Sequence, residues 1–352
     1  MLRHLPRFTI SACLLPVLPA LAQAGEGGFL EDAKASLLLR NFYMDRDYVG
    51  TARQNKAEEW TQSFILDARS GYTQGTVGLG LDVLGLYSLK LDGGKGTAGT
   101  QLLPTHDDGR PADDFGRLAL AGKAKVSKTE LKVGEWMAVL PILRSDDGRS
   151  LPQTFQGAQV TSKEIDGLTL YGGQFRQNSP RNDASLEDMS LFNRPAFTSD
   201  RFNFAGAEYR FNGDRTLVGL WNAQLKDIYQ QQYLQLQHSQ PVGNWVLGAN
   251  IGYFWGKEDG SARAGDLDNR TFSGMFSAKY GASTFYLGLQ KVMGEDEWFR
   301  VNGTSGGTLA NDSYTASYES AKERSWQLRH DYDFAALGVP GLSLMNRYIH
   351  GS

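Results

Sequence analysis

Along most of the chain, apolar and polar residues alternate with period two. In "NWVLGANIGYFW", Trp245, Leu247, Ala249, Ile251, Tyr253 and Trp255 fall on one face and Asn244, Gly248, Asn250 and Gly252 on the other. In "FSGMFSAKY", Phe272, Phe276, Ala278 and Tyr280 oppose Ser273, Ser277 and Lys279. In "SWQLRHDYDF", Trp326, Leu328, Tyr332 and Phe334 oppose Ser325, Gln327, Arg329, Asp331 and Asp333. Such alternation is the signature of strands with one apolar and one polar face. It predicts fifteen strands, near 35–46, 58–69, 73–89, 117–127, 129–136, 156–165, 168–177, 202–211, 215–226, 229–239, 244–255, 270–280, 284–293, 322–333 and 342–350.

The connections alternate as well. Short turns such as "DG" (166–167), "NGD" (212–214), "PVGN" (241–244) and "GAS" (281–283) are interleaved with long polar connections at 91–116, 137–155, 177–201, 256–269 and 294–321. Short turns at one end and long loops at the other predict an all-β, antiparallel, up-and-down transmembrane barrel. Aromatic residues near predicted strand ends (Trp60, Phe211, Trp221, Trp245, Trp255, Phe285, Trp298 and Tyr348) fit the interfacial girdles of such a barrel. A soluble secreted β-sandwich would share the alternation and is one alternative.

Composition narrows the compartment. Arg3, His4 and Arg7 precede an apolar run, Phe8–Leu21, and "AQA" at 22–24, which together read as a secretory signal over residues 1–24. The rival reading, a lipoprotein box at "ISAC" (10–13), leaves too short an apolar stretch after Arg7. Residues 25–352 are then the mature domain. Cys13 is the single cysteine and leaves with the signal, which excludes a disulfide scaffold and thiolate chemistry. Loss of residues 1–24 removes two arginines and no acid, so the formal charge moves from -3 to -5. That balance does not point to nucleic acid. No run of 18 apolar residues follows the signal, which excludes a transmembrane helix but not strands that cross a membrane.

Other signals carry little chemistry. "GKGTAG" (94–99) matches a phosphate-loop pattern but no helix pattern follows, so it reads as a loop. His106, His238, His330 and His350 show no metal-ligand spacing, and no cofactor or metal is expected. An outer-membrane barrel hydrolase would need a Ser–His contact on the outer wall. His330 shares the lipid-facing parity of Trp326, and no local nucleophile motif accompanies it.

The strings "GFLEDAKASLLLRNFYMDRD", "WTQSF", "GYTQGTVGLGLDVLGLYSLKLDGG", "VSKTELKVGE", "GRSLPQTFQG", "DIYQQQYLQL", "SWQLRHDYDF" and "GVPGLSLMNRY" resemble the OprD-type family of substrate-specific outer-membrane porins. "LPILRSDDGRSLPQTFQG" and "VNGTSGGTLANDSY" look closer to the branch that takes up aromatic and cyclic carboxylates than to the basic-amino-acid branch. The resemblance implies an eighteen-stranded barrel in the bacterial outer membrane. It implies a third long loop folded inward as a constriction, facilitated diffusion without catalysis, and surrounding lipid and lipopolysaccharide as partners. Fifteen predicted strands and an end at "RYIHGS" lead to the expectation that the last strands are missing; a homotrimer and a monomer both stay open.

Parity selects channel-facing arginines. Leu37, Leu39 and Tyr43 toward lipid put Arg40 and Arg46 inside. By the same rule Trp60, Phe64 and Leu66 place Arg69 inside, Tyr171 and Phe175 place Arg176, Trp326 and Leu328 place Arg329, and Leu342 and Leu344 place Arg347. Guanidinium pairs bidentately with carboxylates and stays charged, which suits anion passage. The family's basic ladder carries over onto Arg46, Arg149 and Arg181. Arg300 and Arg324 join the proposed path by position. The expected constriction comprises Arg144, Asp146 and Asp147 with Ser305 and Asp312. Each of these charges could equally serve only to satisfy a neighbour of opposite sign.

Overall fold

A computed structural model describes residues 27–50, 54–314 and 316–352; the expected signal over 1–24 lies outside them. In chain order the strands are β1 (Lys34–Asp47), β2 (Lys56–Arg69), β3 (Gly78–Asp92), β4 (Asp114–Val126), β5 (Thr129–Trp136), β6 (Val139–Leu140), β7 (Leu143–Arg144), β8 (Thr154–Ser162), β9 (Leu168–Ser179), β10 (Met189–Leu191) and β11 (Arg194–Ser199). There follow β12 (Phe202–Phe211), β13 (Thr216–Leu225), β14 (Tyr229–Val242), β15 (Trp245–Glu258), β16 (Asp268–Tyr280), β17 (Ser283–Gly294), β18 (Arg324–Asp333) and β19 (Ser343–Gly351).

Fifteen of these form one antiparallel sheet in chain order, as the alternation predicts. The other four make two small hairpins, β6–β7 and β10–β11, inside connections predicted to be irregular. Strands of two or three residues are too short to show a period. The β14–β15 turn illustrates the short connections: Val242 faces Trp245, and Gly243 takes a positive φ of 58° in the two-residue loop between them.

The alternation separates two faces. On the bare face stand Leu37, Trp60, Leu66, Leu118, Leu220, Leu234, Leu247, Leu287, Trp326 and Leu328, all exposed. Long connections lie over the other face. The chain divides into two units. The first runs up to Ala138 and adds Ser145–Ala158 and Arg176–Glu187; the second holds Val139–Arg144, Gln159–Phe175 and Asp188–Ser352.

In the first unit the covered face is not polar throughout. Met44, Ile65, Leu84, Leu86 and Phe115 project from β1 to β4 and pack with Leu102, Leu103 and Leu151 from two connections. Those three leucines have no exposed surface. Burying a leucine side chain is worth about 1.5–3 kcal/mol, so they anchor both loops on the sheet.

In the second unit the covered face is aromatic. Phe175 stacks on Phe204 at 5.4 Å, Tyr171 on Trp221 at 4.7 Å, and Tyr233 on Phe254 at 4.0 Å. Trp298, from the 295–323 connection, meets Phe254 edge-on at 5.2 Å. These positions correct three expectations. Trp221 and Trp298 are buried beneath or within the loop layer rather than girdling a strand end. Phe175 is buried on the covered face, so Arg176 points the other way, alongside exposed Leu170. The parity rule fails there because it equates apolar with lipid-facing, whereas a loop folded over the sheet creates a second apolar interior.

Gly206 shows how tightly that interior is built. A β-carbon there would come 2.2 Å from the Trp221 ring. Gly206→Val is expected to cost about 1–3 kcal/mol by overpacking, read as a lower temperature for the heat-modified shift in gel mobility.

Candidate functional site

The first unit holds Asp146 and Asp147 of the expected constriction, together with Arg40, Arg46, Arg149 and Arg181 of the expected path; Arg144, Ser305 and Asp312 belong to the second. Arg40, on the covered side of β1, forks onto Asp147 at 2.8 and 3.1 Å and gives a third bond to the Arg149 carbonyl at 2.6 Å. Arg181 donates to Asp146 at 2.7 Å and also bonds the Gln101 side chain. Ser150 shares a 2.7 Å hydrogen bond with Thr61 of β2, and Gln153 donates to Asn178 at 2.8 Å. The 145–153 segment is therefore pinned along its length, by ionic bonds near its middle and neutral ones beyond.

Arg149 turns back into its own loop. It is 7 % exposed and donates to the Thr100 carbonyl at 3.1 Å and the Gly148 carbonyl at 2.6 Å. Thr100 in turn gives its hydroxyl to the buried carboxylate of Glu59 and accepts from the Leu102 N–H at 3.1 Å. The 99–103 connection thus braces the 145–153 segment from a second side.

Arg117, on β4, is a brace the sequence reading missed. Its guanidinium bonds the carbonyls of Pro180 (3.2 Å), Asp183 (2.7 Å) and Pro152, with Glu135 at 3.8 Å. Exposed Leu118 and Leu120 put Arg117 on the covered face by the same parity used elsewhere. Starting the predicted strand at residue 117 hid that signal.

Asp183 completes this corner. Burial raises its carboxyl, but bonds from the Ser185 N–H and hydroxyl, and the Arg117 cation, more than offset that and hold it below the ordinary carboxylate value.

In the second unit Arg300 is locked. It forks onto Glu319 at 2.8 and 2.7 Å, donates to the Thr304 carbonyl at 2.6 Å, and lies over the Phe192 ring at 3.3 Å. Both partners of this ion pair are nearly buried, at 9 % and 10 % side-chain exposure. Nearby Glu297 is pushed above its usual value by burial, partly countered by a 2.9 Å bond from Asn193.

Arg144 differs. Its backbone carbonyl accepts from the Ser305 N–H at 2.9 Å, and Thr308 bonds the Pro141 carbonyl at 2.9 Å, tying β6–β7 to the 305–308 segment. Its exposed guanidinium lies beside Gly307 and carries no carboxylate among the described residues. Ser305 accepts the Gly307 N–H at 3.1 Å, and Asp312 accepts the Ser317 hydroxyl at 2.7 Å.

The remaining candidates divide by face. Arg329 is on the covered face, forked onto Asp331 at 2.7 and 2.5 Å. Arg347 faces it directly across the β18–β19 ladder and gives one 3.3 Å bond to the Asp312 carbonyl. Arg69, also on the covered side, pairs with Asp67 at 2.7 Å. Arg46 is on the covered side of β1 with no ionic partner among the described residues. Arg324 shares its parity with exposed Trp326 and Leu328, and so projects from the bare face, away from the other candidates.

The outer-wall histidine does meet a serine: His330 Nε2 and Ser283 Oγ are 3.2 Å apart on the bare face, with Phe285 stacked on the imidazole. No carboxylate orients that ring among the described residues, so the pair lacks the third member of a nucleophilic triad. No group of three potential metal ligands occurs among the described residues.

Comparison with known proteins agrees with this architecture. The family model for outer membrane porins of the OprD family matches residues 27–352. The chain is 76 % identical over 346 residues to a porin-like protein GalP of Pseudomonas putida, covering 98 % of this chain and 83 % of that one. A BenF-like porin from Pseudomonas fluorescens superposes with a TM-score of 0.91 at 75 % identity, covering 92 % of this chain and 84 % of the other. Pseudomonas aeruginosa OccK2 in complex with glucuronate gives 0.84 at 70 % identity, with 92 % and 82 % covered. Pseudomonas aeruginosa OpdK with vanillate gives 0.86 at 53 % identity, with 92 % and 84 % covered.

Two outcomes follow from the ion pairs. Glu319→Ala strands a buried guanidinium and is expected to cost about 3–5 kcal/mol, seen as reduced heat-modified stability. Asp183 is depressed, so its contribution to stability is present above about pH 4 and is lost as pH falls through its lower folded value. The stability difference between the parent and Asp183→Asn is therefore expected to shrink on acidification below about pH 4, measured as heat-modification temperature against pH.

Proposed function

This chain belongs to the OprD family of outer-membrane porins, and we propose that it passes small anionic organic solutes, namely aromatic or cyclic monocarboxylates, by facilitated diffusion. It is an outer-membrane protein, and its relatives are channels rather than enzymes. The face covered by loops is the channel-lining one in this reading, and the bare apolar face meets lipid.

The observation that carries the reading is a difference in how arginines are satisfied. Arg40, Arg69, Arg181, Arg300 and Arg329 already hold carboxylates of the chain itself. Arg46 and Arg144 hold none among the described residues, and Arg347 has only a carbonyl oxygen at 3.3 Å. Of the arginines expected on the path, these three are the ones offered in this reading to replace water around a passing carboxylate, Arg149 being turned onto carbonyls of its own and a neighbouring loop. A unit-charge pair at 4 Å gains about 4 kcal/mol at an effective dielectric of 20, before desolvation. That holds a solute briefly, and separate sites of similar strength let it move on. Glucuronate and vanillate, bound by two similar porins, are a cyclic and an aromatic carboxylate, which supports the same solute class here.

Single-channel recording with benzoate and arginine as competing solutes tests this. Arg46→Ala and Arg144→Ala are each expected to weaken benzoate block about tenfold, the value of one charge-assisted hydrogen bond, and to shift the reversal potential toward cations. Unchanged benzoate block in the double variant, or stronger block by arginine than by benzoate in the parent, would overturn the reading.

A further inference from the structure

We propose that the lipid-facing side of β15–β18 carries, at the loop end of the strands, a site for the phosphate groups of lipopolysaccharide. The inference rests on the outer-membrane location of the family and is independent of which solute the channel passes.

Register places the residues. On the bare face toward the loop end stand Lys257 of β15, Arg270 of β16, Lys291 of β17 and Arg324 of β18, all exposed, with Asp268 and Met293 one step beyond Arg270 and Lys291. They share that face with Trp255, Phe272, Leu289 and Trp326, which lie one step nearer the turn end. Adjacent strands are about 4.8 Å apart and the row is staggered by four residues along them, so it runs diagonally over roughly 20 Å. One acid intrudes: Asp268 faces Lys257 and lies 3.5 Å from Arg270, with both side chains 53 % exposed. Lys291 and Arg324 have no carboxylate partner among the described residues.

Two features make this row more than a solvated edge. First, Lys291 and Arg324 stand directly opposite each other across the β17–β18 ladder. Like charges in that relation destabilise a strand pair, and an anion lying between them removes the cost. Second, the loop-end positions of β1, β2 and β4 in the first unit, taken by themselves, have the opposite sign. There Asp45, Asp47, Glu58 and Asp114 occupy the bare face, and Lys56 among them is bonded to Asp45 at 3.5 Å and Glu58 at 2.6 Å. A basic row is therefore a property of β15–β18 and not of strand ends in general.

The ring layer sets the depth. Trp326 packs on Tyr348 at 5.4 Å and Trp255 on Tyr253 at 5.9 Å, all on the bare face. Indole and phenol rings settle at the boundary between acyl chains and headgroups. Long cationic side chains one step beyond, with their stems along that apolar surface, reach the headgroup phosphates.

The test compares the parent with Lys291→Gln/Arg324→Gln in phosphatidylcholine vesicles, without and with lipid A. The readout is the temperature of heat modification and the lipid A retained on the protein after detergent extraction. Lipid A is expected to raise the parent's transition by several degrees, in proportion to ligand bound, and high salt to abolish the rise. The double variant should be at least as stable as the parent in phosphatidylcholine alone, because the facing like charges are gone, and should lose at least half of the rise with lipid A. Arg324→Gln alone should lose an intermediate share, which serves if the double variant folds poorly. An equal rise in parent and variants, or an equal rise with dephosphorylated lipid A, would overturn the proposal.

Discussion

In the hydrocarbon of a bilayer a backbone N–H or C=O has no water to turn to. The strands of the main sheet between β1 and β19 therefore take their hydrogen bonds from the sheet strands before and after them, and the sheet follows chain order. Once the backbone is committed in that way, residue parity is the remaining variable. A side chain goes to lipid or to the covered face according to whether its number is odd or even within a strand. Every functional argument about this protein descends from that division.

Arginine shows what the division does with one chemical group. Forked onto Asp147 or Glu319, a guanidinium is a fastener for a loop. Without a carboxylate, as at Arg46 and Arg144, it is in the proposed reading a counter-ion for a passing solute. On the bare face at the loop end, as at Arg324, it is in our proposal a partner of headgroup phosphates. The side chain is the same in each case, and its partner and its face decide the role. Buried pairs of the Arg300–Glu319 kind are costly to break, whereas exposed ones contribute about 1 kcal/mol or less.

Period two made the sheet legible. It gave the number of strands in the sheet and set Arg40, Arg46, Arg69, Arg329 and Arg347 opposite the exposed apolar face, where the ladders also put them. It failed where a second apolar interior lies under the loops. Phe175, Trp221 and Trp298 are apolar residues that the loop layer buries, and one chain read alone does not tell such burial from burial in lipid. It also failed over long sequence separations. Arg40 and Asp147 are 107 positions apart, and nothing local to either shows that they bond. The β6–β7 hairpin, two residues a side, is below the length at which any period exists.

The fork between Arg40 and Asp147 also bears on how selectivity can drift. If the covered face lines the channel, as proposed, it holds several cations in reserve, each paired with an acid of the chain itself. Replacing Asp147 by a neutral residue would add no charge to the wall, yet would release one that is already in position. Binding character in such a wall can thus be changed by subtraction. A new solute preference needs only the loss of a loop carboxylate, with no new cation to be introduced, folded and desolvated.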